Sequence, residues 1–231
     1  MVPDFGLLLP VGLARWQTHS LPALLSFCLP VGLCAYGLTH ALIRPALLEV
    51  LPDGPYARLR RSRVQSAWSH PGTWLAVIAA LLFGALTHLI WDGFTHENAR
   101  GVRLFPQLLD YGPEMAGHAL RLYKWLQYGS SVVGLVLVMI ALGVWLRHAP
   151  APQPRPRRRL ASTERATWMC LYVALPAGAV AVLCLRLALR SPALLFTASS
   201  VGTLAVVAMR ATAISLLLLS GLIRARLAAA A

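Results

Sequence analysis

Acidic residues are scarce in this chain. Eight Asp and Glu stand against 21 Lys and Arg in 231 residues, a formal net charge of +13. Lysine is nearly missing too, with arginine outnumbering it twenty to one. Charged residues of both signs make up only 13% of the sequence, hydrophobic residues make up 58%, and mean hydropathy is +0.64. So little charge on so apolar a chain excludes an ordinary soluble domain. In a soluble protein the basic excess would suggest nucleic acid. Here the arginines lie between apolar runs, which points to membrane topology and lipid headgroups and excludes a nucleic-acid partner. Cysteine is sparse: Cys28, Cys34, Cys170 and Cys184 all fall within apolar runs, with no Cys-x-x-Cys pair among them. That spacing excludes a thiolate metal site and reads as small buried packing residues. The lead Met1-Val-Pro-Asp lacks the basic start of a cleaved signal peptide, so the first apolar run is expected to act as an uncleaved anchor. No internal repeat of convincing length is present.

What the chain does have is long apolar runs. Leu21–Ile43, Trp74–Trp91, Val132–Trp145 (extended to about 128–147), Trp168–Leu189 and Ala193–Ile223 approach or reach the ~20 residues a spanning helix needs. The expected fold class is an all-α integral membrane protein with about five transmembrane helices plus one interfacial helix. The interfacial helix is expected over Pro113–Tyr128. There Pro113 suits a first turn, and Leu120, Tyr123, Trp125 and Leu126 alternate with His118, Arg121 and Lys124. Residues 1–147 form a front half carrying the polar motifs. A Pro/Arg-rich cytoplasmic linker follows at 148–167, and 168–231 form an apolar helical half.

Three arginine clusters set the orientation. Arg58, Arg60, Arg61 and Arg63 follow the first run; Arg155, Arg157, Arg158 and Arg159 follow the third; Arg224 and Arg226 follow the fifth. With five spans all three share one side, which the positive-inside rule makes cytoplasmic. The loop from Asp92 to Gln127 is nearly charge-balanced and falls outside, together with the N-terminus. The chain is therefore expected in the cell membrane as a multi-pass protein, N-terminus extracytoplasmic and C-terminus cytoplasmic, with membrane lipids as its partners. The sequence does not fix an oligomeric state.

Gly84-Ala-Leu-Thr-His-Leu-Ile-Trp-Asp-Gly-Phe-Thr-His96 is the most informative stretch. It places His88, Asp92 and His96 at steps of four, so a helix stacks His88 and Asp92 on one face. An Asp costs roughly 2.5–3.5 kcal/mol at the centre of a spanning helix, so it needs a partner or a function there. The plainer alternative is a helix-end Asp and His meeting interfacial water. The topology brings His19 and this segment to the same outer face. Asp4, His19, His88 and Asp92 form the candidate site, with His96 and His118 in reserve. Such a His/carboxylate set suits a divalent cation, zinc first, or manganese or iron with more carboxylates. His40 and His70 fall at the inner ends of the first two runs and read as interfacial. Arg210 interrupts the last run. It reads either as a snorkelling arginine or helix boundary, or as a cation reaching the carboxylate site or a lipid phosphate.

Three blocks carry a family resemblance: Val2-Pro-Asp-Phe5, Thr18-His-Ser20 ahead of a span, and Gly84-x-x-Thr-His-x-x-x-Asp-x-x-Thr-His96. Ser69-His-Pro-Gly72 and Leu126-Gln-Tyr-Gly-Ser-Ser131 add to them. Over roughly residues 1–147 the chain resembles the bacterial membrane-protein family called domain of unknown function 4184. It is more distantly similar to inner-membrane proteins classed as metal-dependent hydrolases. The resemblance implies Asp4, His19, His88 and Asp92 as metal ligands; the convergence of His19, His88 and Asp92 on one membrane face suggests a lipid or phosphoester substrate. Family members usually begin earlier, with a Ser-His-Pro-type histidine before the Pro-Asp turn. The resemblance therefore leads us to expect a truncated N-terminus and one further ligand upstream. Two function classes follow: a metal-dependent membrane hydrolase, or a non-catalytic membrane protein whose His/Asp cluster is a structural metal site or a helix-packing polar network.

Overall fold

The computed structural model describes residues 2–8, 12–61, 71–115, 118–148, 160–191, 195 and 197–229. The helices in order are α1 (Leu24–Val50), α2 (Asp53–Arg61), α3 (Pro71–Thr95), α4 (Arg100–Leu104), α5 (Leu122–His148), α6 (Ser162–Arg190) and α7 (Ala198–Ala229). A 3₁₀ turn, Val2–Leu7, opens the chain, and a single helical turn, Arg15–Thr18, precedes α1. Five helices (α1, α3, α5, α6 and α7) are long and apolar enough to cross a membrane.

These helices outrun the apolar windows that announce them. The third run extends to Leu122–His148, because Tyr123, Trp125 and Tyr128 continue the helix below the purely apolar stretch. The fifth is one helix of 32 residues. At ~1.5 Å per residue it is about 48 Å long, well over the ~30 Å of a bilayer core. It runs without a break through Arg210, so Arg210 is not a helix boundary.

In α1 two prolines shape the backbone. Leu24–Cys28 and Thr39–Ile43 are π-helical, and the remainder is α-helical. Proline lacks an N–H and clashes with the carbonyl four residues back. Those carbonyls belong to Ser26 for Pro30 and to Ala41 for Pro45, one in each π-helical stretch. The wider turn relieves the clash without ending the helix.

The interfacial helix expected over Pro113–Tyr128 is not formed, and the fold is not purely helical. Tyr111–Met115 (β1) pairs antiparallel with His118–Arg121 (β2), and α5 begins at Leu122. Side-chain contacts override the helical spacing here. Trp125 Nε1 donates to the Pro113 carbonyl at 3.1 Å, and Leu122 N donates to Asp110 O at 2.9 Å. A Cβ on Gly112 would lie 2.8 Å from the Trp125 ring, so a larger residue there would push the ring aside. Arg121 stacks 5.3 Å from the Tyr111 ring centre.

The chain divides into two compact units. The first comprises residues 1–6, 11–30 and 76–149. In it α4 packs on the end of α3, where Gly101 approaches Gly93, and Trp91 Nε1 donates to Ser130 Oγ at 3.2 Å to join α3 to α5. The second comprises residues 7–10, 31–75 and 150–231. Its core is Ala46, Val50, Leu160, Ile223 and Leu227, with Leu47, Trp168 and Tyr172 against them. Glu164 accepts from Ala161 N at 3.0 Å at the start of α6, and Arg165 meets Asp53 at 2.9 Å. Tyr172 and Ser220 share a hydrogen bond of 2.9 Å between α6 and α7. Tyr172→Phe is expected to lower stability by ~0.6–2 kcal/mol, read as a lower melting temperature in detergent; an unchanged melting temperature would show that this bond holds nothing.

Of the cysteines, Cys28 is buried and Cys184 partly buried, whereas Cys34 and Cys170 are exposed, so these two are not core packing residues. They lie on α1 and α6. Arg63, His70, Ser69 and the Arg155–Arg159 cluster fall outside the described residues.

Candidate metal centre

Four side chains converge within the first unit. Asp4 comes from the opening 3₁₀ turn, His19 from the step into α1, and His88 and Asp92 from successive turns of α3. The i,i+4 spacing of the last two stacks them on one face of an unbroken helix that ends at Thr95. One ligand atom from each of Asp4, His19, His88 and Asp92 lies within 4.8 Å of all the others.

The contacts within this group alternate between imidazole nitrogen and carboxylate oxygen. His19 Nε2 is 3.1 Å from Asp4 Oδ1 and 3.5 Å from Asp92 Oδ2. His88 Nε2 is 3.1 Å from Asp4 Oδ2 and 3.7 Å from Asp92 Oδ2. The two rings stand 5.9 Å apart, tilted by 53°. The buried His88 Nε2 is thus in ion-pair contact with Asp4 without a well-formed hydrogen bond. A buried donor or acceptor left unmade in this way costs ~1–3 kcal/mol unless something else occupies its lone pair.

These distances fit a cation. A tetrahedral ion with bonds of ~2.0–2.2 Å sets its ligand atoms roughly 3.3–3.6 Å apart. The four nitrogen–oxygen separations, 3.1, 3.5, 3.1 and 3.7 Å, lie near that edge; they draw on both Asp4 oxygens, and donor atoms taken one per residue fall within 4.8 Å of one another, a group a cation would draw closer. Two carboxylates also supply the negative charge a divalent ion requires. The group is not sealed: side-chain exposure is 22% for Asp4, 18% for His88, 14% for Asp92 and 9% for His19.

Further partners orient the group. Thr18 Oγ1 lies 2.8 Å from His19 Nδ1. With the proton on Nδ1, the ring donates to Thr18 and turns a bare Nε2 toward the carboxylates, the tautomer a metal ligand needs. Thr18 is itself buried, and a Cβ on Gly6 would come within 2.9 Å of its methyl group, so the 3₁₀ turn and Thr18 fit closely. Thr18→Val keeps the shape and removes the partner. It is expected to weaken metal binding about ten-fold, measured by chelator competition; unchanged affinity would leave Thr18 no orienting role.

Burial alone would raise the Asp4 carboxyl. The short contacts to His19 and His88, together with the charge of the two imidazoles, outweigh it and hold the group well below the usual carboxylate range. On the acid side, the stability this supplies is lost as pH falls below the ordinary carboxylate value and through the depressed one.

The reserve residues fall elsewhere. His96 lies just past α3, with Nδ1 3.8 Å from Asp92 Oδ1 and 3.3 Å from both Thr95 Oγ1 and the Asp92 carbonyl. It touches the far side of Asp92 and is not among the four. His118 has its backbone in β2, and its side chain lies outside the described set. Arg210 belongs to the second unit, where its Nε donates to the Leu7 carbonyl at 2.7 Å; the partner it meets is a backbone oxygen, not a carboxylate. Sequence spacing did not single out Thr18 or the Gly93–Gly101 approach, although Thr18 stands in the Thr-His-Ser block.

No curated protein and no solved structure matches the chain. A family model does, over residues 1–223, so the match extends well past the front half that carries the motif blocks. With nearly its whole length covered, the chain belongs to the family described as Domain of unknown function, DUF4184.

Proposed function

We propose that this chain is a multi-pass membrane protein that holds one divalent cation at Asp4, His19, His88 and Asp92 and uses it for hydrolysis at the extracytoplasmic leaflet. The reading rests above all on His88 Nε2: buried, without a hydrogen bond, and 3.1 Å from a carboxylate oxygen inside a four-donor group. The orientation rests on the arginine clusters, with the N-terminus outside and the C-terminus cytoplasmic.

The substrate class we favour is a phosphoester or a lipid-linked ester. A divalent cation polarises such an oxygen and lowers the pKa of a bound water. Asp4 and Asp92 would neutralise the cation and orient the imidazoles. Both carboxylates stay partly exposed, so water would reach the centre. Zinc-loaded and manganese-loaded protein in nanodiscs, tested on phosphomonoester, phosphodiester and phospholipid substrates, should release product at a rate abolished by Asp92→Asn. A metal-loaded protein that turns over none of them would remove the hydrolase reading.

A second reading keeps the metal and drops the chemistry. Four protein donors fill a tetrahedral zinc completely, which is the mark of a structural site. Under that reading the metal raises the melting temperature and no substrate is turned over.

A further inference from the structure

The two carboxylate oxygens of Asp92 face different partners. Oδ2 lies 3.5 Å from His19 Nε2 and 3.7 Å from His88 Nε2, inside the four-residue group. Oδ1 faces His96, whose Nδ1 is 3.8 Å away. The same nitrogen stands 3.3 Å from the Asp92 main-chain carbonyl and 3.3 Å from Thr95 Oγ1, a hydroxyl that itself donates to the Trp91 carbonyl. A carbonyl and an ionised carboxylate only accept, so His96 carries a proton on Nδ1, aimed back at Asp92. Helix α3 ends at Thr95, and the last carbonyls of a helix lack a partner one turn on. His96 follows directly, where a histidine can bond to such a carbonyl. That bond fixes the ring, and the fixed ring turns its N–H toward the side chain of the same residue. Trp91, Asp92, Thr95 and His96 all belong to the first unit.

We infer that His96 is a positioning residue for Asp92, holding Oδ1 aside so that Oδ2 alone is offered to the cation; the inference rests on the metal reading above. A carboxylate free to rotate presents either oxygen, or both. With Oδ1 engaged, Asp92 supplies one donor atom, the oxygen that already lies nearest both imidazoles. His96 acts on the metal through Asp92 and is not itself a ligand.

The test measures zinc affinity by chelator competition in full-length protein in detergent. The visible spectrum of cobalt-loaded protein and metal-free melting temperatures are recorded alongside. Wild type is compared with His96→Asn, His96→Leu and His96→Ala. The asparagine amide can place an N–H where Nδ1 stands, whereas leucine fills the space without a donor. His96→Leu is expected to bind zinc about ten-fold more weakly, the usual scale for removing a partner that orients a metal ligand, and His96→Asn to recover most of the affinity. Cobalt bands weaken as coordination number rises. They should be fainter in His96→Leu, where both Asp92 oxygens reach the ion, and close to wild type in His96→Asn. A purely structural role would lower melting temperatures without separating asparagine from leucine in either metal readout. Should the leucine variant fail to fold, alanine takes its place. Equal zinc affinity or equal cobalt bands in all folded variants overturns the inference, and so does an asparagine variant as weak as leucine, which would make the imidazole itself a ligand. A wild type that takes up neither zinc nor cobalt overturns the metal reading instead.

Discussion

Replacing His88 with alanine is expected to weaken zinc or manganese binding by at least about 100-fold. The orphaned Nε2 contributes a direct ligand atom, whereas loss of an outer partner alone costs 10–100-fold. Asp92→Asn should act in the same direction, because Asp92 Oδ2 lies within 3.5 Å of His19 Nε2 and 3.7 Å of His88 Nε2. In the metal-free protein His88→Ala has two opposed effects: it deletes a buried nitrogen that lacks a well-aligned partner, and it takes away one of the two imidazoles that hold Asp4 ionised. The expected pattern is a large loss of metal affinity with a modest change in metal-free melting temperature. A large drop in metal-free stability with metal affinity intact would point to a hydrogen-bond network and against a metal centre. Metal uptake should also weaken as pH falls, since ligating imidazoles must be unprotonated.

The second large effect is expected at Gly101, away from every ligand. A Cβ there would stand 2.6 Å from the Gly93 carbonyl oxygen and 2.7 Å from Phe94 Cδ1. The obstacle includes backbone, which cannot rotate away. Gly101→Ala should therefore push α4 off the end of α3 and destabilise the protein by ~1–3 kcal/mol. Gly93 directly follows Asp92, so the strain falls on the turn that presents a ligand and metal affinity should drop too. Gly93→Ala is the control: its nearest neighbour would be 3.8 Å away, an ordinary contact, and little change is expected. Equal melting temperatures for the two alanine variants would show that the close approach carries no load.

The five long apolar helices were legible because hydropathy alone marks them, and their excess length was not, because α5 and α7 continue through Tyr, Trp and Arg that a hydropathy window rejects. The hairpin at Tyr111–Arg121 was illegible for a different reason. Its spacing of apolar residues mimics a helix, and the deciding contact, Trp125 against Gly112 and Pro113, joins residues 12 or more apart. Within the site, His88 and Asp92 were readable from their i,i+4 step inside an apolar run. Asp4 and His19 sit in short irregular leads with no periodicity, and only the family resemblance and the shared outer face suggested them. Thr18 meets His19, and Arg210 meets Leu7, through hydrogen bonds that no local pattern encodes.

The central claim is a cation held by two imidazoles and two carboxylates. X-ray absorption at the zinc edge, on purified protein loaded with zinc and stripped of excess, tests it most directly. The expected spectrum shows about one zinc per chain with nitrogen and oxygen neighbours at ~2.0–2.2 Å and the outer-shell scattering of two imidazoles, one of them lost in His88→Ala. Sulfur scattering at ~2.3 Å, or no stoichiometric zinc at all, would contradict it.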